Sequence, residues 1–234
     1  MTVADTVAAD ILTGRLAPGD MLPPEPHLCL HFGVSRTVVR EAVAGLVRQG
    51  LTSVHHGIGT VVCDRAAWND LDPELLSLRA TLGLIHDLMD DLLEIRRMVE
   101  VEVAGLAARR RSPQHVADLG DLVQQMERAV GDLAAYSAAD IDFHEALILA
   151  SGNELVRKMM RPVNQVRRIG SDLIVAGSSR SLDVYRSSMD GHRAILAAVE
   201  ASDPDAARDA MARHIRQFEL NLADIFPRPG TAAA

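Results

Sequence analysis

Residues 33–43 read GVSRTVVREAV, and this segment decides the fold of the first part of the chain. Serine is a favoured N-cap residue, so the segment predicts a helix that begins at Ser35. At about 100° per residue, the apolar and polar side chains separate onto two faces. The apolar face holds Val38, Val39, Ala42 and Leu46, and the polar face holds Arg36, Thr37 and Arg40. We expect the first face to pack against the protein and the second to contact a partner.

The neighbouring segments complete the order of a winged helix-turn-helix. Apolar residues at helical spacing predict one helix that ends at Gly14 and a second that ends at Gly33. β-Branched runs on both sides of the GIG sequence at 57–59 predict a two-stranded ribbon with a glycine-rich tip. In a helix-turn-helix, the N-terminal end of the second motif helix enters the major groove of DNA.

Two arginines, Arg36 and Arg40, stand at that end of the helix. An arginine in the major groove can donate two hydrogen bonds to guanine. The alternative is that both are solvated surface charges, as most surface arginines are. The wing and the N-cap favour the DNA-binding interpretation.

Composition and charge limit the remaining possibilities. The chain has 234 residues, of which 48% are hydrophobic and 3% aromatic, and this mixture favours a mainly α protein with two domains. The net charge of −8 argues against a wholly basic nucleic-acid binder, although a binding patch is local. Residues 1–65 hold slightly more acidic than basic side chains, so specific DNA binding is expected to need a dimer on two half-sites.

Cysteine usage and hydropathy predict the cellular location. Cys29 and Cys63 have no metal-like spacing, and no secretory signal is evident. No apolar run approaches the roughly 20 residues that span a bilayer. We therefore expect a cytoplasmic protein.

Residues 8–62 resemble the DNA-binding domain of the GntR family of bacterial transcription regulators. The resemblance is carried by GRLAPG at 14–19, LPPE at 22–25, GVSRTVVREA at 33–42 and the glycine wing. In the fatty-acid regulator branch of this family, the arginines of this pattern, the adjacent hydroxyls and the wing tip contact DNA. The resemblance implies that the DNA-binding residues are Ser35, Arg36, Thr37, Arg40, His56 and Gly57. Two departures, Pro26 and Ile58, replace residues that are often polar or basic in the family, so the operator is expected to differ.

The sequence divides into four parts. We expect a winged helix-turn-helix at 1–65, a linker at 66–82, an all-α antiparallel helical bundle at 83–226 and a flexible tail at 227–234. Helical spacing and breaks predict the bundle helices at 84–111, 113–131, 133–151, 153–176, 181–202 and 204–225. The linker string WNDLDP also resembles the linker of family members that respond to sugar acids.

Four side chains of the bundle form a candidate metal site. Asp140 and His144 are four residues apart and so project from one helix face, whereas Asp142 would point to another. His192 and His214 lie at equal distances from the turn at 202–204, which places them at the same height in a helical hairpin. One carboxylate and three imidazoles would suit Zn²⁺, Ni²⁺ or Mn²⁺. For each histidine alone, an ordinary structural role is the alternative, but the joint geometry favours a metal site.

Residues 84–222 are similar to the FCD domain, the helical ligand-binding domain of the same branch. Its metal-binding members carry the ligand pattern that is found here at Asp140, His144, His192 and His214. Its pocket arginine falls in the pattern E-x-R-x-x-x-E, which matches Arg96 and implies that Arg96 binds the effector. A surface pair of Arg96 with Glu100 is the alternative. Arg97, Arg167 and Arg168 also stay candidates for the pocket.

These observations predict a transcription regulator. It would be a homodimer, most simply a repressor, that binds a pseudo-palindromic operator and responds to a small carboxylate, such as a sugar acid or hydroxy acid, at the metal site. A metal sensor, with the ion itself as effector, is one alternative. A metal-dependent hydrolase or lyase is another alternative. It lacks a candidate general base beside the ligands, although Glu145 is adjacent to His144 in sequence, and it would leave the winged helix without a role.

Overall fold

The computed structural model describes residues 2–84, 86–129, 131–177 and 181–225. The chain divides between His86 and Asp87 into two compact units, which are described separately. The prediction of a mainly α protein with a winged helix-turn-helix at its start is confirmed. The predicted tail at 227–234 lies outside the described residues. No helix among the described residues is long and apolar enough to span a membrane.

The first unit contains the winged helix-turn-helix. Its helices are α1 (Val3–Leu12), α2 (Glu25–Phe32), α3 (Arg36–Arg48) and α4 (Pro73–Thr81), and its strands are β1 (Thr52–His55) and β2 (Gly59–Val62). The strands are antiparallel, with Thr52 opposite Val62 and His55 opposite Gly59. The wing is widened by an isolated bridge between Met21 and Val61.

Local sequence explains the ends of the helix-turn-helix. Gly33 ends α2 with φ +65°, a left-handed conformation that glycine adopts without a Cβ penalty. Ser35 is the N-cap of α3, and its side chain accepts a hydrogen bond from the amide of Val38 at 3.4 Å. The predicted turn and cap therefore fix where α3 begins.

The segment after the wing packs against the same core. The buried cluster comprises Val7, Ala8, Ile11, Leu22, Leu46, Leu51, Val62 and Leu75, with Trp68 packed against it. The Trp68 indole N–H donates to the carbonyl of Cys63 at 3.3 Å. Gly50 has φ +70°, and a Cβ added there would lie 2.0 Å from the carbonyl oxygen of Ala67. The chain around 64–81 is thus joined closely to α1 and α3.

The described part of the second unit is a bundle of six long helices. They are α5 (His86–Arg110), α6 (Pro113–Arg128), α7 (Leu133–Ala150), α8 (Glu154–Gly177), α9 (Ser181–Glu200) and α10 (Pro204–Ile225). Their bounds agree with the sequence expectation to within a few residues, because Pro, Ser, Asp and Gly mark most of the breaks. α7 packs between α6 and α8, and α9 packs against α10 and α6. This arrangement brings α7, α9 and α10 together around the site.

Candidate functional site

The exposed face of α3 carries the predicted DNA-binding side chains. Arg36, Thr37 and Arg40 are exposed, as is Ser35 at the N-cap. The buried stripe consists of Val39, Ala42, Gly45 and Leu46. These polar side chains are accessible to a partner while the buried stripe anchors the helix.

The expectation that Val38 packs against the protein is wrong. Its side chain is 42% exposed, whereas Val39 and Leu46 are almost fully buried. Successive residues of a helix are turned by about 100°, so Val38 lies at the edge of the stripe centred on Val39 and Leu46. The apolar face of α3 is narrower than the sequence pattern indicated.

Arg40 is held from the neighbouring helix. Its Nε donates to Glu25 Oε2 at 3.1 Å, and both side chains are accessible to solvent. An exposed pair of this kind contributes little stability. It does join the first residue of α2 to the polar face of α3.

The wing tip is exposed over its whole turn. His56 and Gly57 are exposed, and Gly57 has φ +77°. Ile58 is 65% exposed at the same tip, where it presents an apolar side chain in place of a basic one. The tip is therefore sterically available to a groove but provides no arginine or lysine.

The four predicted metal ligands come together in the second unit. Asp140 and His144 lie on α7, His192 on α9 and His214 on α10, and one ligand atom from each lies within 4.8 Å of all the others. Asp140 Oδ1 lies 2.9 Å from His192 Nε2 and 4.0 Å from His144 Nε2. Asp142 is exposed and does not take part.

The local folding of two segments explains this convergence. One helical turn separates Asp140 from His144, and a three-residue connection between α9 and α10 places His192 opposite His214. The ring centroids of these two histidines are 4.4 Å apart. Gly191 permits the approach, since a Cβ added there would lie 2.6 Å from His214 Nδ1.

Burial sets the charge of the imidazoles. Desolvation, assisted by the charge of Arg167, lowers the pKa of His144 to about 4. Desolvation and the neighbouring histidines hold the pKa of His214 well below its usual value. Both rings are therefore neutral near neutral pH, the state in which imidazole binds a metal.

For Asp140, the neighbouring side chains outweigh burial in setting the charge. Burial alone would raise the pKa of its carboxyl group, but the interactions with His192 and His144 outweigh burial and lower it. The side chain is thus an ionised oxygen donor in the same cluster as the neutral imidazoles of His144 and His214. That donor set suits a borderline divalent cation such as Zn²⁺, Ni²⁺ or Mn²⁺.

The dimensions of the cluster also fit a cation. Two ligands of one ion at about 2.1 Å can be no more than about 4.2 Å apart, so a separation within 4.8 Å needs only small side-chain movements. His144 Nε2, His192 Nδ1 and His214 Nδ1 are buried and have no hydrogen-bond partner among the described residues. Buried polar atoms without partners are costly, and a bound cation would satisfy ring nitrogens directed at it.

Glu100 joins this cluster to two buried arginines. Its Oε1 accepts hydrogen bonds from Arg96 Nε at 2.9 Å and from Arg167 Nη2, and its Oε2 lies 2.9 Å from His144 Nδ1. Burial would raise the pKa of Glu100, but Arg167, Arg96 and His144 outweigh it and hold the pKa well below the usual value. A carboxylate on the far nitrogen of a metal-binding histidine fixes the ring and directs the other nitrogen inward.

The four candidate arginines divide into two pairs. Arg96 and Arg167 are buried beside Glu100, with the Arg96 guanidinium 5.2 Å from the centroid of the Phe218 ring. Arg97 is exposed and bonded to Glu219, and Arg168 is exposed. Only the first pair, among the described residues, lies next to the candidate ligands.

Sequence reasoning missed part of this arrangement. The spacing of Arg96 and Glu100 indicated an ordinary helical ion pair, but nothing in it indicated that Glu100 would be buried against His144 and Arg167. Those contacts join α5 to α7 and α8, and only the packing of the bundle brings the three helices together. The glutamate of the E-x-R-x-x-x-E pattern was the available signal.

Comparison with known families assigns both units. Residues 1–62 match the family described as bacterial regulatory proteins, gntR family, and residues 91–217 match the FCD domain. The second match covers more than half of the chain and contains all four residues of the candidate metal site.

Relatives of the whole chain agree with this assignment. The galactonate operon transcriptional repressor of Escherichia coli is 26% identical over 220 residues, which are 94% of this chain and 95% of that protein. The transcriptional regulator LutR of Bacillus subtilis is 31% identical over 92% of this chain and 97% of its own length.

A solved structure shares the fold. It is that of Lar, which controls expression of the agr system of Listeria monocytogenes, with a TM-score of 0.64 and 21% identity over 96% of each chain. The resemblances noted in the sequence to the GntR and FCD families are confirmed by the two family matches. The chain belongs to the GntR family of bacterial transcription regulators, with an FCD domain following its winged helix-turn-helix, and is a regulator rather than an enzyme.

Proposed function

We propose that the protein is a cytoplasmic, homodimeric repressor whose operator affinity is controlled by a small carboxylate bound at a metal site in the FCD domain. The observation that carries the proposal is the convergence of Asp140, His144, His192 and His214 beside two buried arginines. The winged helix at 1–65 would bind the operator, and the helical domain, delimited at 83–226, would bind the effector. The segment 66–82 would connect them.

The proposed DNA contacts follow the exposed surface of the first unit. Arg36 and Arg40 would read base edges in the major groove, and Ser35 and Thr37 would contact phosphates. His56 and Gly57 at the wing tip would approach the minor groove. Since the unit has no net positive charge, affinity would depend on two half-sites bound by a dimer.

In the helical domain, the four ligands would hold Zn²⁺, Ni²⁺ or Mn²⁺ and leave coordination positions open for an effector. Arg96 would contribute a guanidinium to the effector site, in the place that the family pattern implies. A metal ion and a guanidinium together favour a carboxylate, because each provides positive charge at short range. The relation to a galactonate operon repressor supports a sugar acid or hydroxy acid as the effector class.

Elemental analysis of variants tests the metal site. His192→Ala and His214→Ala should each lose most of the bound ion and its stabilisation of the folded state, because each removes one of four ligands. His27→Ala is the control, since His27 is an exposed residue of α2. Full metal occupancy in both of the first two variants would exclude the proposed site.

Operator titrations separate carboxylate control from control by the ion alone. If the carboxylate is the effector, metal-loaded protein should release its operator only when the acid is added. If the ion is the effector, chelation alone should change operator affinity to the same extent. The second result would replace the proposal with a metal sensor.

A further inference from the structure

The helix α8 presents a buried guanidinium with unused hydrogen-bonding capacity. Arg167 is 5% exposed, and its Nη2 donates to Glu100. Its Nε and Nη1 are buried and have no hydrogen-bond partner among the described residues. Leaving a charged donor buried without a partner is destabilising, so a ligand that accepts from these nitrogens would be favoured.

A second unpartnered group lies one turn away on the same helix. Asn164 is 9% exposed, and its Oδ1 is buried without a partner among the described residues. Residues three apart on a helix share a face, with Cβ atoms about 5–6 Å apart. Met160 and Val163 on this stripe are buried and apolar. Asn164 and Arg167 thus place an acceptor and a cationic donor side by side.

Both groups lie on the side of α8 that belongs to the candidate metal site. α8 packs against α7, the helix of Asp140 and His144. Arg167 Nη2 donates to Glu100, and Glu100 Oε2 lies 2.9 Å from His144 Nδ1. A ligand that reaches the metal position is therefore close to Arg167.

The charges of the cluster favour an anion once a metal is bound. The two guanidinium groups of Arg96 and Arg167 are matched in number by the two carboxylate groups of Glu100 and Asp140. A divalent cation leaves this buried group with surplus positive charge. A carboxylate would reduce that surplus and supply acceptor oxygens for Arg167.

We propose that Arg167 and Asn164 form the selective part of the effector site: Arg167 donates to the carboxylate and Asn164 Oδ1 accepts from a hydroxyl group on a nearby carbon. The inference rests on the proposed function, and it assigns hydroxycarboxylates as the preferred class. A deoxy analogue would leave the buried Oδ1 unpaired, which is the condition under which a site discriminates strongly between ligands. Arg96, which donates to the same Glu100 oxygen as Arg167, keeps its proposed role as a further guanidinium group of the effector site.

Calorimetric titration of the full-length, metal-loaded protein tests this assignment. The probes are two matched pairs, 2-hydroxypropanoate with propanoate and gluconate with hexanoate. The wild type should bind the hydroxylated member at least about tenfold more tightly in one or both pairs. Asn164→Leu and Asn164→Ala should abolish that preference without weakening the binding of the deoxy acid. Arg167→Gln should lower the affinity for hydroxylated and deoxy acids alike, by about 10- to 100-fold.

Two controls keep the result interpretable. Arg97→Gln removes an exposed arginine of α5 and should leave every affinity unchanged. Metal content should stay at the wild-type level in the Asn164 and Arg167 variants, which shows that the ligand cluster is intact. Two substitutions at Asn164 guard against a folding defect in either one.

The outcomes separate this inference from the function on which it rests. A hydroxyl preference that survives both Asn164 substitutions would overturn the inference, since the metal or another group would then read the hydroxyl. Unchanged acid affinity in Arg167→Gln would overturn it as well. If the wild type binds no probe and no probe alters operator binding, the proposed carboxylate control fails together with it.

Discussion

At the residue scale, Glu100 is a buried carboxylate that contacts three titratable side chains of the helical unit. It is 2% exposed and lies against Arg96, Arg167 and His144. Removing its charge would leave two buried guanidinium groups without their shared carboxylate. A buried charge left without its partner costs several kcal/mol, whereas an exposed ion pair contributes little.

Glu100→Gln should therefore lower the free energy of unfolding by about 3–5 kcal/mol. It should also weaken metal binding by about 10- to 100-fold, because the amide no longer fixes the His144 ring as the carboxylate does. Urea denaturation followed by circular dichroism measures the first effect, and metal titration the second. Glu102→Gln, an exposed glutamate of the same helix paired with Arg208, is the matched control. Equal effects of the two substitutions would contradict the role given to Glu100.

Substituting Arg36 or Arg40 of α3 should weaken the binding of operator DNA more than the binding of random DNA. Arg36→Ala or Arg40→Ala should lower specific operator affinity by about 1–3 kcal/mol if each contacts a guanine through two hydrogen bonds. Binding to random DNA should change less. Arg48→Ala, at the opposite end of α3, should change neither. Equal losses on specific and random DNA would mean that the arginine contacts only phosphate.

At the element scale, two glycines determine how closely segments approach each other. Gly50 lies against the carbonyl of Ala67, so Gly50→Ala should destabilise the first unit by about 1–3 kcal/mol more than Gly14→Ala. Gly14 is the matched control because its φ is also positive, +76°, but nothing lies within 4 Å of an added Cβ. Trp68 is the only tryptophan, so its fluorescence during denaturation reports on this unit. Equal losses in the two variants would exclude the close contact.

Gly191 has the corresponding role in the helical unit. An added Cβ would push His214 away from the other ligands, so Gly191→Ala should weaken metal binding by at least about tenfold. Gly120→Ala, in α6 with open space around its Cα, should leave metal affinity unchanged and add about 0.5–1 kcal/mol of stability. Metal titrations of both variants make the comparison. Unchanged affinity in Gly191→Ala would show that His214 does not have to remain in this position.

The elements also show how far the sequence alone predicts this fold. Caps and breaks such as Ser35, Gly33 and Pro204 act within a few residues, so the helix bounds could be predicted from them. His192 and His214 could be paired because they flank a short turn symmetrically. Val38 was misassigned because a helical pattern leaves the edge of a buried face undefined.

The contacts of α5 and α8 beside the metal ligands could not be predicted from the sequence. Arg167 and Asn164 are polar residues of α8, and no local signal distinguishes them from the exposed Arg168 beside them. Their burial depends on how α8 packs against α7. For the same reason Arg96 and Arg167 could be separated from Arg97 and Arg168 only once the bundle was known.

At the scale of the whole molecule, the winged helix would bind the operator and the helical unit would bind the metal and the carboxylate. A ligand can change operator affinity only through a difference in its affinity for two states of the protein. Because the buried cluster gains surplus positive charge only when a divalent cation is present, carboxylate binding should require the metal. The response at the operator should therefore need both ligands.

The most direct test is an operator titration of metal-loaded and metal-free protein, with and without gluconate, galactonate or 2-hydroxypropanoate. The operator is a duplex selected from random DNA by the metal-loaded protein. We expect at least one acid to lower operator affinity by about 5- to 150-fold in metal-loaded wild type. Metal-free wild type and metal-treated His192→Ala should bind the same operator without responding to the acid. An equal response without the metal, or no response to any of the acids with it, would contradict the account.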